Sequence, residues 1–220
     1  MMLDELHVYD DFEPKPAALN MAVDEALLDS AVAPILRFYR WHRPSLSFGY
    51  FGRYAEVADQ SSDREIVRRW TGGGIVPHGD DLTYSVIVPA SSPFFARSSL
   101  EIYAVVHESI RRALAANGIE AILANSAAPK VSEDCFANAV RADVLSDGRK
   151  IAGAAHRRAR VGLLHQGSIQ QGNLPDRFRD DLARNLCERF EKRALSPELL
   201  ERAAGIGQDK YGTIAWLKRR

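Results

Sequence analysis

Residues 135–169 read CFANAVRADVLSDGRKIAGAAHRRARVGLLHQGSI. Asp147-Gly148 stands between two β-prone runs, which is the strongest short-range signal for a β-hairpin. A two-residue turn there pairs Ser146 with Arg149 and Leu145 with Lys150. The outgoing strand then carries Lys150 and a run of small residues, Ala152, Gly153, Ala154 and Ala155. Small side chains on a strand leave room for a ligand to approach the backbone. A further strand, VGLLHQGSI, brings His165. Cys135 is too far from the turn for the hairpin to set it beside Lys150, so it must arrive on its own loop.

Outward from this hairpin, strands dominate the middle of the chain. LHVYD (6–10) reads as a short strand, and Pro14 and Pro16 precede a helix whose Leu19, Val23, Ala26 and Leu27 keep helical spacing. ILRFYRW (35–41), SLSFGYF (45–51), EIVRRW (65–70) and LTYSVIVP (82–89) are β-rich, with a short helix or loop over 55–63. Ser98 and Glu101 form a capping-box pattern opening a helix with Ile102, Val105, Val106, Ile110 and Leu114 on one face, closed by Asn117-Gly118. IEAIL (119–123) is a short strand, and a polar loop over 124–134 leads to Cys135. From about Asp176 onward the chain reads as mostly helical and charged. Without a regular βαβ alternation, this is an α+β pattern with a mixed or mainly antiparallel central sheet flanked by helices. The expected organisation is one catalytic domain over 1–220, with its core in 7–170 and a helical tail over 176–220.

Composition narrows the function classes. The 220 residues carry 29 basic and 29 acidic side chains, so bulk electrostatic binding to nucleic acid or a membrane is not expected. No apolar run approaches a membrane-spanning length, and the acidic start does not read as a signal peptide. The two cysteines, Cys135 and Cys187, do not make a disulfide framework, and the cytoplasm is the expected compartment. No His/Cys cluster has metal-ligand spacing. Cys187, within LARNLCERF, reads as a core residue on a helix.

RRWTGGGIVPH (68–78) is the second informative stretch. Three consecutive glycines are entropically costly and suit a place where a ligand or another chain segment meets the backbone, or where free amides receive an anion. A flexible turn is the plain alternative. Arg68 and Arg69 alternate along a strand, so at most one faces a site and the other is solvated or ion-paired. His78 and His165 each read as an acid–base group or as an ordinary histidine of a turn or core. HRRAR (156–160) is a solvated strand face or a basic contact for an acidic partner.

With these segments in hand, the chain resembles the lipoate–protein ligase and octanoyltransferase family, whose catalytic domain is related to biotin–protein ligase. The resemblance rests on NMAVDEALL (20–28), ILRFYRW with SLSFGYF (35–51), RRWTGGGIVPHGDDLTYSVIV (68–88) and DGRKIAGAAHRRARVGLLHQGSI (147–169). It implies a biotin/lipoate ligase-like α+β fold. It also implies that Lys150 is the shared active-site lysine, and that Arg69, Thr71, Gly72, Gly73, Gly74 and His78 line the acyl pocket. Gly153, Ala154 and His165 join them as expected substrate-binding residues. Departures occur at Trp70, at Gly79 and in the order Leu164-His165-Gln166-Gly167, where His165 resembles ligases.

Two chemistries divide the family. In the cysteine-type octanoyltransferases a Cys-Phe pair lies fifteen residues before the lysine, and Cys135-Phe136 stands at that distance from Lys150. Ligases typically carry an Arg-Asn-Asp-type segment in that region, which this chain lacks. The resemblance therefore implies an octanoyltransferase. Octanoyl would pass from acyl carrier protein to Cys135 as a thioester, then to a lysine of a lipoyl-domain protein. Examples of such acceptors are the glycine-cleavage H protein and the E2 component of a 2-oxoacid dehydrogenase. No cofactor and no metal are expected. The alternative is an ATP-dependent lipoate–protein ligase that forms a lipoyl-adenylate with ATP and magnesium and needs a separate accessory domain.

Overall fold

In a computed structural model, which describes residues 3–60, 62–127, 136 and 138–219, the hairpin forms in the expected register. Strand β8 (Val144–Ser146) faces β9 (Arg149–Ala159), with Ser146 opposite Arg149 and Leu145 opposite Lys150. Asp147 and Gly148 have φ of 49° and 72°, the two positive values that a type I′ turn requires. One step further along, Val144 faces Ala152, so Lys150, Ile151 and Ala152 stand against two residues of the partner strand. Such a bulge turns side chains away from the simple alternation of the ladder.

The hairpin is part of an eight-stranded mixed sheet. It includes β1 (His7–Lys15), β2 (Ile35–Trp41), β6 (Leu82–Pro89), β7 (Ile122–Leu123), β10 (Gly162–Ile169) and β11 (Glu191–Lys192), in the order β11-β1-β2-β6-β10-β9-β8-β7. β1 is parallel to β2 and β11, and the remaining pairs are antiparallel. A small three-stranded sheet joins β3 (Ser45–Phe48), parallel to β4 (Glu65–Arg68), with β5 (Val76–His78) on its other side. The expected strands over 6–10 and 119–123 differ in extent, the first running on to Lys15 and the second confined to two residues.

Helices cover both faces of the large sheet, which explains why its central strands read as nearly continuous apolar runs. Alternate residues part to the two sides. Leu36, Phe38, Tyr84, Val86 and Leu163 meet α2 (Ser99–Ala116) and α3 (Arg177–Leu186), while Ile35, Tyr39, Ile87 and Leu164 meet α1 (Ala17–Ser30). The capping box at Ser98 and Glu101 starts α2, and Asn117 caps its end. Helix α1 is apolar on nearly every side because α4 (Pro197–Ile206) packs on its outer face. Its two buried polar residues, Asn20 and Asp24, receive Arg37 of β2 at 2.8 and 2.7 Å, and Asp11 receives the same guanidinium at 2.7 Å. Removing one partner from so buried a network costs roughly 3–5 kcal/mol.

The stretch after Asp176 is not uniformly helical. Glu191–Lys192 returns as a strand beside β1, because Glu191 N–H and Arg193 N–H donate to the otherwise open edge at Leu6 and Val8. Cys187 sits at the C-cap of α3, buried in the core, where burial pushes its thiol up. Beyond α4 a π-helical turn (Gly207–Tyr211) leads into α5 (Ile214–Leu217). No helix among the described residues is long and apolar enough to cross a membrane.

Candidate functional site

The glycine segment links β4 to β5 and forms one wall of a slot whose floor is β9 and β10. Its backbone crosses that of the β3 end so closely that a Cβ on Gly49 would lie 2.1 Å from the Gly73 carbonyl oxygen. Gly73 itself has φ +84° and faces Ala155. The close approach foreseen for the triplet is thus, in part, one of protein to protein. Arg69 ties the loop from inside. It donates to the carbonyls of Gly72 and Gly74 at 3.0 and 2.8 Å and to Ser47 Oγ at 2.7 Å. Arg68 points the other way; it is not solvated, and among the described residues it has no ion-pair partner. It is buried and donates to the carbonyls of Tyr50, Gly52, Trp216, Leu217 and Arg219, latching the C-terminal segment onto β4.

His78 stands at the inner end of the slot, stacked on Trp41 at 4.1 Å. Its Nδ1 lies 2.9 Å from Asp81 Oδ2, and its Nε2 is 2.7 Å from Ser47 Oγ. Burial raises the Asp81 carboxyl, but the His78 charge and hydrogen bonds from His78, Ser168 and Thr83 outweigh it and hold Asp81 below its ordinary range. Thr71 donates to Gln166 Oε1 at 2.8 Å, and Gln166 Nε2 donates to Asp24 Oδ2 at 2.8 Å. The slot is thereby fastened to the ionic network beneath α1. Met21, Tyr39, Trp41, Gly153, Ala155 and Gln166 line this narrow slot.

Lys150 lines a broader groove together with Pro77, Leu123, Phe136, Leu145, Arg149 and Gln170. The bulge on β9 sends its side chain back over Gly153, which is part of the slot. Its Nζ is 2.8 Å from Asp143 Oδ2, with both side chains nearly inaccessible at 4% and 0%. It also donates to Asn138 O at 3.4 Å and lies 5.4 Å from the Phe136 ring centre. Asp143 accepts in addition from Val140 N–H and from the hydroxyl of Tyr103, which in turn accepts from Ala154 N–H at 3.2 Å. Burial, reinforced by the Asp143 charge, pushes the Tyr103 phenol well above its ordinary range, so it remains a donor.

Of the expected residues, Arg69, His78, Gly153 and Ala154 line the slot, whereas Thr71, Gly72 and Gly74 are tied to lining residues through Gln166 and Arg69, Gly73 faces Ala155, and Lys150 lies over Gly153. Cys135 lies outside the described residues. His165 does not face the slot. Because β10 alternates, Gln166 points into the slot while His165 points toward α2, where Tyr84 Oη is 3.0 Å from its Nε2. There it joins His156 and His107, with ring centres 4.7 and 5.7 Å away. Burial drives all three down, His107 and His156 to about 4 and His165 well below its ordinary value, so the cluster is neutral. HRRAR is correspondingly half-embedded. Arg157 packs over Tyr50 and Trp70, and Arg158 donates to the carbonyls of Phe95 and Arg97.

Asp143, Tyr103, Gln166, Ser47 and Asp81 were not singled out from sequence. Gln166 had a signal: small residues at Gly153 and Ala155 share a face, and the strand opposite them offers Ser168 and Gln166 on that face. Asp143 had none, since only the bulge brings it to Lys150. Among the described residues, no group of three His, Cys, Asp or Glu side chains is placed to hold a metal ion.

Comparison with known proteins bears on this arrangement. Residues 16–193 match the profile of the lipoyl protein ligase A/B catalytic domain. The chain is 39% identical over 165 residues to octanoyltransferase LipM of Oceanobacillus iheyensis, covering 71% of this chain and 60% of that protein. It is 37% identical over 203 residues to the LipM of Kyrpidia tusciae, covering 82% and 74% respectively. The chain thus spans about three fifths of the O. iheyensis relative's length. Among solved structures, lipoate-protein ligase A bound with ATP superposes with a TM-score of 0.76 at 21% identity, covering 99% of both chains. A bipartite lipoate protein ligase from Thermoplasma acidophilum gives 0.72 at 21% identity, covering 98% and 96%. These two likenesses concern the fold.

Proposed function

The chain belongs to the lipoyl protein ligase A/B catalytic domain family, and we propose that within it the protein is an octanoyltransferase of protein lipoylation. The donor is octanoyl-acyl carrier protein, Cys135 carries the acyl group, and a lysine of a lipoyl-domain protein receives it. One observation carries the reading: Lys150 lines a wide groove, and its side chain passes over Gly153, which lines a neighbouring slot with small and aromatic residues. An apolar acyl tail belongs in the slot, where each buried CH₂ contributes about 0.8 kcal/mol. The thioester end then lies beside the lysine, open to the groove. The similarity to octanoyltransferases and the spacing of Cys135 from Lys150 support the same choice.

The chemistry balances without ATP. The Cys135 thiol gives up its proton and the thiolate attacks the donor carbonyl; a new C–S bond forms, the carrier's C–S bond breaks, and the carrier thiolate takes up a proton in exchange for the one Cys135 released. The acceptor amine then attacks the enzyme thioester, an amide forms, and Cys135 leaves as the thiol. An ordinary cysteine is only a few per cent ionised at neutral pH, so a neighbouring ammonium is of direct use. Lys150 fills that role, or donates to the carbonyl oxygen as it becomes an oxyanion. No cofactor and no metal take part in this scheme.

Incubation with octanoyl-acyl carrier protein in the absence of ATP, followed by intact-mass measurement, tests the reading. A hydroxylamine-labile octanoyl adduct is expected on the wild type and absent from Cys135→Ala, which also fails to transfer to an apo lipoyl domain. Full transfer by Cys135→Ala would overturn it. Pyrophosphate release that requires ATP and free lipoate or octanoate, with no adduct, would identify a ligase instead.

A further inference from the structure

Asp143 is fully buried. Oδ2 accepts from Lys150 Nζ at 2.8 Å and from Val140 N–H at 2.7 Å, while Oδ1 accepts from Tyr103 Oη. The backbone of Asp143 is held as firmly, its N–H on Val140 O at 3.0 Å and its carbonyl receiving Ala124 N–H at 2.8 Å. Tyr103 bridges from there to Ala154, whose backbone borders the slot. The result is one chain of bonds, Lys150–Asp143–Tyr103–Ala154, joining the ammonium to the slot wall.

We propose that Asp143 is the positioning residue for Lys150 in acyl transfer, and that Tyr103 locks the Asp143 carboxylate to the slot at Ala154. The proposal rests on the role given to Lys150 above. A lysine stem has four rotatable bonds, and a free ammonium would swing into the groove. A buried carboxylate fixes its direction. Directional support of this kind matters because a displacement of about 1 Å at a reacting group costs on the order of 100-fold in rate. Tyr103 adds what an ion pair lacks, since its second bond relates the carboxylate to the strand that borders the slot.

The test is single-turnover acylation of the chain by octanoyl-acyl carrier protein, followed across donor concentration, for Asp143→Asn, Tyr103→Phe, Lys150→Ala and the Lys150→Ala/Asp143→Asn pair. Asp143→Asn should lower the acylation rate by roughly 10- to 100-fold with substrate affinity little changed. Tyr103→Phe, which removes one hydroxyl from a folded core, should lower the rate several-fold and serves as the deciding variant if Asp143→Asn does not fold. The double variant should be no slower than Lys150→Ala, as expected of residues acting as one unit. A folded Asp143→Asn with the wild-type rate overturns the proposal. So does a folded Tyr103→Phe at the wild-type rate when Asp143→Asn cannot be obtained folded. Wild-type acylation by Lys150→Ala would instead overturn the functional reading on which this rests.

Discussion

Lys150 and Gly153 share one volume: a Cβ on Gly153 would lie 2.3 Å from Lys150 Cε and 2.7 Å from its Nζ. The lysine reaches Asp143 only by crossing the place where a side chain at 153 would be. Gly153→Ala should therefore displace the ammonium while the flexible stem limits the damage to folding. Acyl transfer should fall about 10- to 100-fold, with the thermal midpoint lowered by only a few degrees. Transfer assays beside thermal unfolding check this, and wild-type transfer by Gly153→Ala would show that the crossing has no functional weight.

The ion pair should also be visible in stability. Lys150→Met leaves Asp143 as a buried, uncompensated charge and should cost about 3–5 kcal/mol. Adding Asp143→Asn to it should recover part of that loss, since the orphan charge is then removed. Urea unfolding of the two single variants and the double measures the coupling, and strict additivity would mean that the pair is not formed in solution.

The neutral histidines make stability depend on pH in a defined direction. His107 and His156 are held near 4 by burial, whereas unfolded histidine titrates near 6.5. The unfolded chain therefore binds more protons between these values, and stability falls as pH drops from about 6.5 toward 4, levelling below that. For the fully buried His107 the loss at pH 5 is about 2 kcal/mol relative to neutral pH. Denaturant midpoints at pH 7.5, 6 and 5 test this, a flat profile being the contrary result.

Arg68 predicts the fate of the C-terminal segment. It donates to three carbonyls of residues 216–219 as well as to those of Tyr50 and Gly52. Arg68→Lys keeps the charge but not the planar fork, and should cost roughly 3 kcal/mol through carbonyls left without donors. Hydrogen exchange should accelerate selectively in the amides of 214–219, and unchanged protection there would contradict the latch.

Much of this was legible from residues 135–169 and their neighbours. Asp147-Gly148 specified its turn and the pairs Ser146–Arg149 and Leu145–Lys150, and Ser98 with Glu101 specified the start of α2. Each of these depends on atoms a few residues apart, so the local pattern suffices. The expectation that Lys150 is the chemical centre came from the family motif, and the small residues after it marked the slot floor.

The rest depends on contacts between distant segments. Which of His165 and Gln166 enters the slot follows from the face that β9 turns to the glycine loop. Arg68 reads as a surface cation until the chain end, about 150 residues on, supplies its carbonyl acceptors. The Lys150–Asp143 pair requires the β9 bulge, and Tyr103 reaches that pair from the middle of α2. Short-range propensity sets which elements form, and by itself the sequence determined those. The partners of each buried charge are chosen by the long-range packing that removes it from water, and only the tertiary structure decided them.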